Sequence, residues 1–342
     1  MARKVVLTGM RTTGQLHLGH KVGALDQWLS VQKSGEYECY FLLADIQALT
    51  THADRPVLLR QSVRDVVLDW LSVGLDPSLP HVHFVLQSQV LERHELSILF
   101  GMVAKYGEVM RDPTLKNELE QQQDASLGFL YYPVDQIADI QMVDPMERGG
   151  ELLVPVGEDQ LPHLELAREV VRRFNNKYGT VFTECQGLVG KVGRLVGTDG
   201  NAKMSKSMGN TINLNDPFEV INRAIDRMPI DPARTVRAGH LVPGDPEKAA
   251  AIIYHRALNP DYDEVQQVEV LYRQASIGDG DIKERLKEVV REVLTPIKAQ
   301  REHFEHDADI TEIVANGTEA ARQACVPVAK AMREHMYLTF PD

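Results

Sequence analysis

The feature that most constrains the fold is the alternation of short apolar runs with longer helical patterns through the first half of the chain. Apolar runs typical of buried strands cover residues 4–8, 38–44, 82–86 and 152–156. One helical pattern begins at about His17, and three others cover residues 55–73, 95–105 and 164–178. Because strands that alternate with helices form right-handed βαβ units, we predict an α/β fold around a parallel sheet. Ligands of such sheets bind at the carboxyl ends of the strands.

The second half of the chain has a different pattern. Strand signals stop at about Asp216, and helical patterns cover 218–227, 247–258, 262–276, 282–302 and 310–337. The best-marked helix ends belong to the helix over 55–73, where Asp54 suits the N-cap, Pro56 the first turn and Gly74 the C-terminal stop. Between the two halves, residues 192–210 form a long loop candidate rich in Gly, Ser and Lys. We therefore expect a sheet region followed by a helical region.

Composition narrows the class of protein. At roughly 150 residues per domain, 342 residues correspond to about two domains. The formal net charge of −12 argues against general adhesion to polyanions. No C-x-x-C pair is formed by the three cysteines, Cys39, Cys185 and Cys325. No apolar stretch approaches the ~20 residues that a membrane span needs. With no pattern typical of a signal peptide, we expect a cytoplasmic protein whose partners include neither a membrane nor DNA.

Two histidines follow the first strand, in the sequence His17-Leu18-Gly19-His20. Histidines three residues apart at a helix start share one face, where imidazole N–H groups and the helix dipole can reach phosphate oxygens. Gly19 has no Cβ, so a base or ribose could approach the backbone closely. For this pattern alone, a surface helix with two incidental histidines is the alternative explanation.

A second motif, Lys203-Met204-Ser205-Lys206-Ser207, lies in the loop candidate between Gly200 and Gly209. Two ammonium groups three residues apart can stabilise the charge that develops on a departing pyrophosphate. A two-lysine loop alone is usually only solvated. Its combination with the histidine motif is far more specific than either part.

Two further patterns fall where a parallel sheet would place its ligand. Tyr132, Gln136 and Asp139, at offsets of four and three, share one face of a helix. The run 154–160 ends a strand at Gly157, after which the backbone can meet a ribose. An amphipathic helix with a solvated polar face is the alternative explanation for the first pattern.

Together these residues resemble the two signature sequences of class I aminoacyl-tRNA synthetases, His-Ile-Gly-His and Lys-Met-Ser-Lys-Ser, with Leu18 in place of Ile. The resemblance implies a Rossmann-type parallel-sheet catalytic domain, which activates an amino acid with ATP and Mg²⁺, and a C-terminal α-helical domain. We divide the chain accordingly into a catalytic domain with the lysine loop (1–210), a helical tRNA anticodon-binding domain (211–295) and C-terminal helices that pack back toward the catalytic domain (296–342).

Within this class, the short length and the helical C-terminus resemble the tryptophanyl and tyrosyl enzymes. The spacing Tyr132, Gln136, Asp139 is similar to the tyrosyl pattern, since tryptophanyl enzymes commonly have Met where Gln136 stands. Leu7, however, occupies the first-strand position where tyrosyl enzymes have Tyr. An indole has only an N–H donor, so an apolar Leu7 and an acceptor at Asp139 suit L-tryptophan better. The segments 154–160, 294–297 and 329–338 also resemble tryptophanyl enzymes.

We therefore predict activation of L-tryptophan and its transfer to tRNA(Trp), by a divergent or auxiliary member of the family. Three alternatives stay open: a tyrosyl-type synthetase, a synthetase-like regulatory or binding paralogue that no longer charges tRNA, and a nucleotidyltransferase outside translation. The family also implies a homodimer.

The resemblance assigns site residues position by position. Catalytic roles fall to His17, His20, Lys203 and Lys206. ATP contacts fall to Arg11, Thr12, Thr13, Gly19, His20, Gly157, Glu158, Asp159, Leu195, Lys203, Met204, Ser205, Lys206 and Ser207. The tryptophan pocket would consist of Leu7, Gly9, Tyr132, Gln136, Asp139, Val154, Val156 and Gln160. No protein side chain is expected to bind the metal, because Mg²⁺ is carried by ATP.

Transfer RNA would have to be held by local positive charge, since the net charge is negative. Two basic clusters are candidates, although an ordinary solvated face is the commoner explanation for each of them. They consist of Arg168, Arg172, Arg173 and Lys177 on one helix, and of Arg285, Lys287 and Arg291 in the C-terminal region.

Overall fold

A five-stranded parallel sheet forms the centre of the computed structural model, which describes residues 3–120, 124–146, 149–190, 195–200, 204, 208–234, 236–237 and 240–340. The strand order is β3-β2-β1-β4-β5. The strands are β1 (Lys4–Arg11), β2 (Glu38–Ala44), β3 (Val82–Leu86), β4 (Glu151–Val156) and β5 (Gln186–Val189). The predicted α/β fold and its four strands are confirmed.

Helices cover both faces of this sheet and continue through the second half of the chain. The helical run after β1 consists of α1 (Leu18–His20), a π-helical turn (Lys21–Leu25) and α2 (Asp26–Ser34). The other helices before β5 are α3 (Asp45–His52), α4 (Pro56–Val73), α5 (Leu91–Gly101), α6 (Tyr106–Val109), α7 (Pro113–Leu119), α8 (Leu127–Gln141) and α9 (Leu161–Tyr178). Those after it are α10 (Phe218–Asp226), α11 (Ala250–Leu258), α12 (Tyr262–Arg273), α13 (Asp279–Asp307) and α14 (Ile310–His335).

The two faces of the sheet carry alternate residues of each strand, as the pleat requires. On one face, Phe41 stacks on Trp28, with ring centroids 5.2 Å apart, and Trp70 meets Phe84 edge-on at 5.1 Å. This hydrophobic cluster continues without a break into α10 to α13. The opposite face carries Val5, Leu7, Leu42 and Val85, packed against α5, α8, α9 and α14. Because both faces are covered, β1 to β4 are apolar along most of their length.

The ladder between β1 and β4 is short. It pairs Lys4–Val6 with 151–153 and stops there, although both strands continue. Pro155 has no N–H group with which to extend it. Instead, the Thr8 hydroxyl donates a hydrogen bond to the Pro155 carbonyl over 2.8 Å. The carboxyl ends of β1 and β4, on either side of the point where the strand order reverses, thereby border a crevice.

The last helix covers the edge of the sheet. The Leu86 N–H of β3 donates to the Thr318 hydroxyl of α14 over 3.0 Å, so α14 supplies a partner for this edge strand. At Gly317 a Cβ would lie 2.3 Å from the Phe84 carbonyl oxygen, so only glycine allows the helix to approach so closely. The three-part division at 210 and 295 stays a prediction.

Three details differ from the sequence predictions. The N-cap of α4 is Arg55 rather than Asp54, although Pro56 begins the helix and Gly74 ends it with φ of +104°. Strand β5 was not predicted, because only its last two residues are large and apolar and most of it is exposed. A hairpin of two-residue strands, β6 (Val236–Arg237) and β7 (His240–Leu241), also follows Asp216, since strands this short leave no periodic signal. Across the described ranges, no helix has the length and apolar character needed to cross a membrane.

Candidate active site

A cavity of about 700 Å³ lies at the carboxyl ends of β1 and β4. It brings together most of the residues that the sequence predicts for ATP and tryptophan. These residues are Leu7, Gly9, Arg11, Thr13, Gly19, His20, Tyr132, Gln136, Asp139, Val154, Val156, Gly157, Glu158, Asp159 and Gln160. A larger cavity, of about 1340 Å³, lies between β3, α13 and α14 and contains none of them. We take the smaller cavity as the candidate site, because convergent polar groups at strand ends indicate a binding site better than volume does.

Other predicted residues lie outside this cavity wall. Thr12, His17 and Leu195 are buried, and Leu195 belongs to the hydrophobic cluster on the α4 face of the sheet. Met204 is likewise buried in that cluster. The contacts of these residues with ATP stay predictions. The remaining members of the lysine motif lie outside the described residues: Lys203, Ser205, Lys206 and Ser207.

The two histidines form a stacked pair at the start of the helical run. Their ring centroids lie 3.7 Å apart, and the backbone N–H of His17 donates to Nδ1 of the His20 ring over 3.2 Å. A Cβ at Gly19 would lie 3.0 Å from the His17 ring and 3.3 Å from Met204 Sδ. Glycine at this position therefore permits both the stacked pair and the approach of the methionine from the lysine motif.

The segment that follows the lysine motif pairs with the chain around the histidines. The Leu18 N–H donates to the Ile212 carbonyl and the Leu214 N–H to the Leu16 carbonyl, both over 2.9 Å. These hydrogen bonds hold residues 212–214 beside the histidine turn. Although they are far apart in sequence, residues 212–214 and the histidine turn therefore meet in space.

Asp139 lies on the wall formed by α8 and is almost completely buried. Its carboxylate lies 2.8 Å from Nε of the buried Arg93 and accepts hydrogen bonds of 3.0 and 2.9 Å from the Gln87 amide. Burial raises the pKa of Asp139 to about 7, against the opposing charge of Arg93. Arg93 and Gln87 were not predicted, because they belong to other elements some 50 residues earlier and no spacing links them to α8.

Tyr132 joins a second cluster at the same end of the cavity. Its hydroxyl lies 2.9 Å from Glu118 Oε2 and 3.0 Å from His163 Nε2. On its other side, the His163 ring contacts Asp112, with Nδ1 2.6 Å from Oδ2. Burial, followed by the nearby Glu118 carboxylate, raises the pKa of Tyr132. None of these three residues, Glu118, His163 and Asp112, was predicted from the sequence, although His163 lies only three residues after Gln160.

Two residues that line the cavity each have an unsatisfied polar atom. Gln136 Oε1 and Gln27 Oε1 are buried and have no hydrogen-bond partner among the described residues. A buried acceptor without a donor costs about 1–3 kcal/mol, so such atoms call for an explanation. At a cavity wall, the group that would satisfy such an acceptor is a ligand N–H or ammonium group.

Carboxylates neutralise most of the two basic clusters proposed for tRNA. Arg168 and Arg172 each lie 2.7 Å from Glu165, and Lys287 lies 2.6 Å from Asp226. Two further ion pairs join Arg173 to Glu108 and Arg285 to Glu264. Contact of either cluster with tRNA stays a prediction, and it would compete with these ion pairs.

Sequence comparison relates this chain to aminoacyl-tRNA synthetases. Residues 2–295 match the model of the family described as tRNA synthetases class I (W and Y). The tryptophan–tRNA ligase of Thermotoga maritima is 40% identical over 339 residues, which cover 98% of this chain and 99% of that protein. The ligase of Clostridium longisporum is 38% identical over 341 residues, covering 98% and 97%.

The fold is also similar to that of a solved structure from the same family. The tryptophanyl-tRNA synthetase of Campylobacter jejuni, complexed with ADP and tryptophan, superposes with a TM-score of 0.80 at 28% identity. The match covers 97% of this chain and 99% of that one. The chain therefore belongs to the class I tRNA synthetases of the W and Y family.

Proposed function

We propose that this protein is a tryptophan–tRNA ligase, which forms tryptophanyl-adenylate from L-tryptophan and ATP and then charges tRNA(Trp). The observation that carries the proposal is the single cavity in which the histidine turn and the Gly157–Asp159 backbone meet the wall of Leu7, Tyr132 and Asp139. The relatives of nearly equal length are tryptophan–tRNA ligases, which supports tryptophan over tyrosine as the substrate.

In the first step, the tryptophan carboxylate attacks the α-phosphate of ATP in line, and pyrophosphate leaves. In the second, a hydroxyl of the tRNA 3′ end attacks the activated carbonyl, and AMP leaves. No protein side chain has to form a covalent bond. The chain instead positions the reactants and stabilises charge, with Arg11 and His20 on the cavity wall as donors to phosphate.

The amino-acid end of the cavity suits an indole. Leu7 and Val154 are apolar and line the wall, and Asp139 supplies a carboxylate acceptor for the indole N–H. The unsatisfied Gln136 Oε1 can accept from the substrate's ammonium group. A phenol would need both a donor and an acceptor, which the Leu7 side of the pocket does not supply.

The lysine motif and the metal complete the proposal on the phosphate side. Lys203 and Lys206 follow the charge that moves onto the departing pyrophosphate. Mg²⁺ enters with ATP, as the counter-ion of its phosphates. The ATP contacts are those assigned by resemblance, and the protein acts in the cytoplasm, where tRNA is charged.

A homodimer is the assembly that we propose. Leu91, Ile98 and Met102 are 65%, 59% and 71% exposed, and their spacing of seven and four residues places them on one face of α5. Tyr106 and Leu127, at the starts of α6 and α8, are 78% and 80% exposed. Large apolar side chains grouped in this way are typical of a surface that a second copy covers.

The decisive experiment is ATP–pyrophosphate exchange with each of the twenty amino acids. We expect exchange with tryptophan well above exchange with tyrosine or phenylalanine. A preference for tyrosine would overturn the assignment of the pocket. Exchange with none of the twenty would instead favour a regulatory paralogue that has lost the activation step.

A further inference from the structure

We propose that His163 carries a proton on both ring nitrogens and acts as a positioning residue that keeps Tyr132 and Glu118 ready for the substrate's ammonium group. The proposal rests on the proposed function, in that the ligand is an amino acid. It starts from three contacts in a row: Asp112 Oδ2 to His163 Nδ1 (2.6 Å), His163 Nε2 to the Tyr132 hydroxyl (3.0 Å), and that hydroxyl to Glu118 Oε2 (2.9 Å).

Counting protons shows that this row needs one more than neutral side chains supply. Each of the three contacts requires one proton between its two heavy atoms. With both carboxylates ionised, a neutral imidazole and a phenol together offer only two. The third proton must therefore lie on Asp112, on Glu118 or on the second ring nitrogen of His163.

Asp112 is a poor place for the extra proton. Its Oδ1 caps α7 by accepting from the Thr114 and Leu115 N–H groups, over 2.8 and 3.0 Å. Burial acts to raise the pKa of Asp112, and these two backbone N–H donors oppose that rise by stabilising the carboxylate anion. An ionised Asp112 then compensates the charge of an imidazolium directly beside it.

Glu118 is a poor place as well. It is only partly buried, and it lines the cavity, where water can solvate an ionised carboxylate. The proton therefore belongs to His163, whose ring is almost completely buried and lies between Asp112 and the Tyr132 hydroxyl. The other charged group that acts on Tyr132 is Arg11 on β1.

This arrangement fixes the direction of the Tyr132 hydroxyl. With His163 Nε2–H as donor, the tyrosine oxygen accepts from the ring and its own proton points to Glu118. One lone pair of that oxygen and the free oxygen of Glu118 remain available on the cavity side for an ammonium group. If His163 lost its second proton, the hydroxyl would turn to the ring, and two bare oxygens would face each other at 2.9 Å.

The test compares two variants of His163 with wild type, with exchange kinetics as the readout. His163→Gln keeps an N–H donor, so its KM for tryptophan should stay near that of wild type, and KM for ATP and kcat should change little. His163→Phe has no donor, and its KM for tryptophan should be about tenfold higher, the effect of one lost hydrogen bond to this site.

His255 provides the matched control. It is fully buried on α11, and its Nε2 contacts the Ile282 carbonyl at 3.1 Å, away from the cavity. His255→Phe should lower the melting temperature without changing KM for tryptophan. If it raised this KM as much as His163→Phe did, or if His163→Gln raised KM as much as His163→Phe, the positioning role would be wrong.

The ring ¹⁵N chemical shifts of His163 in the substrate-free protein decide the proton count without any turnover. Two protonated nitrogens at pH 6.5 support the proposal, and a neutral tautomer overturns it. Because this measurement needs no substrate, it also separates a failure of the proposal from a failure of the proposed function, which would appear as absent exchange in wild type.

Discussion

Asp139 acquires partners in the folded chain that its position in the sequence does not reveal. The offsets of four and three correctly predict that Tyr132, Gln136 and Asp139 share one face of α8 and line one cavity. The ion pair of Asp139 with Arg93 could not be predicted, because it depends on how α5 packs against α8. Local spacing determines which way a side chain points, whereas its partners depend on tertiary packing.

This ion pair changes what a substitution of Asp139 should do. Asp139→Ala removes the acceptor for the indole N–H, at about 1–3 kcal/mol, so tryptophan should bind roughly 5- to 150-fold more weakly. It should also destabilise the fold, because Arg93 is fully buried and loses a partner. Asp139→Asn keeps an acceptor oxygen and should lose less affinity. Calorimetric titration of tryptophan and ATP, with urea unfolding, measures both effects, and unchanged tryptophan affinity in the alanine variant would refute the indole contact.

The loop lysines should act on the rate rather than on substrate binding. Lys203→Ala and Lys206→Ala each remove a charge that develops its full interaction only as pyrophosphate leaves. We expect the activation rate to fall by about 10²- to 10³-fold, with tryptophan affinity nearly unchanged. Single-turnover adenylate formation and equilibrium binding measure the two quantities separately. Lost binding at an unchanged rate would assign the loop a different role.

Among the elements, α4 and α13 support the histidine turn. Asp69 Oδ2 on α4 accepts from the Leu16 N–H over 2.8 Å, one residue before His17. The buried guanidinium of Arg301 on α13 binds the other oxygen of Asp69, and it also lies 2.9 Å from Asp65. A helix from the second half of the chain thus holds the carboxylate that fixes the backbone before the histidines.

Removing the Arg301 guanidinium should lower the free energy of unfolding by an amount that depends on pH. Burial raises the pKa of Asp69 to about 6, against the opposing charge of Arg301. In Arg301→Met this opposition is lost and the folded pKa rises further above the unfolded value of 3.8. A folded pKa above the unfolded one means that stability is lost as pH rises, because the ionised form is disfavoured only in the folded chain.

Urea unfolding of Arg301→Met at pH 5 and pH 8 tests this prediction. At pH 8, where Asp69 would have to be buried as an unpaired anion, we expect a loss of about 3–5 kcal/mol. At pH 5 the carboxyl can stay protonated, so the loss should be smaller. Equal losses at both values of pH would show that Arg301 contributes packing rather than charge compensation.

Strands illustrate where element prediction succeeds and where it fails. The four predicted strands have continuous apolar runs, since both faces of the parallel sheet are buried. Strand β5 lies at the sheet edge, is mostly exposed and contains Gly187, so neither periodicity nor burial marks it. Its pairing with β4 from Leu153 to Val156 comes from the tertiary fold.

At the scale of the whole molecule, the alternating pattern predicts the sheet but not how the C-terminal helices return to it. The contact of Gly317 with the Phe84 backbone joins positions more than 230 residues apart. The pairing of Leu18 with Ile212, almost 200 residues later in the chain, likewise appears only in the folded structure. That the residues near the strand ends line one cavity was therefore predictable, whereas the residues that contact them from distant helices were not.

The exposed face of α5 makes the oligomeric state testable with a single charge. Ile98→Glu places a carboxylate in the middle of the apolar patch, where burial against a second copy would leave it unpaired. Val57, on α4 and 68% exposed, offers a matched control because Val57→Glu adds the same charge to another surface. Neither change affects the core, so both variants should keep the folded structure of the subunit, as circular dichroism measures.

Light scattering after size-exclusion chromatography distinguishes the outcomes. Wild type and Val57→Glu should have twice the chain mass of 38.4 kDa, whereas Ile98→Glu should have the mass of one chain at micromolar concentration. A monomeric wild type would refute the dimer. Dissociation of Val57→Glu to the same extent would show that added charge, rather than the α5 face, separates the subunits. If only Ile98→Glu dissociates, the side chains that cover one another across the dimer are those of the α5 face, because a buried unpaired carboxylate outweighs the apolar contacts around it.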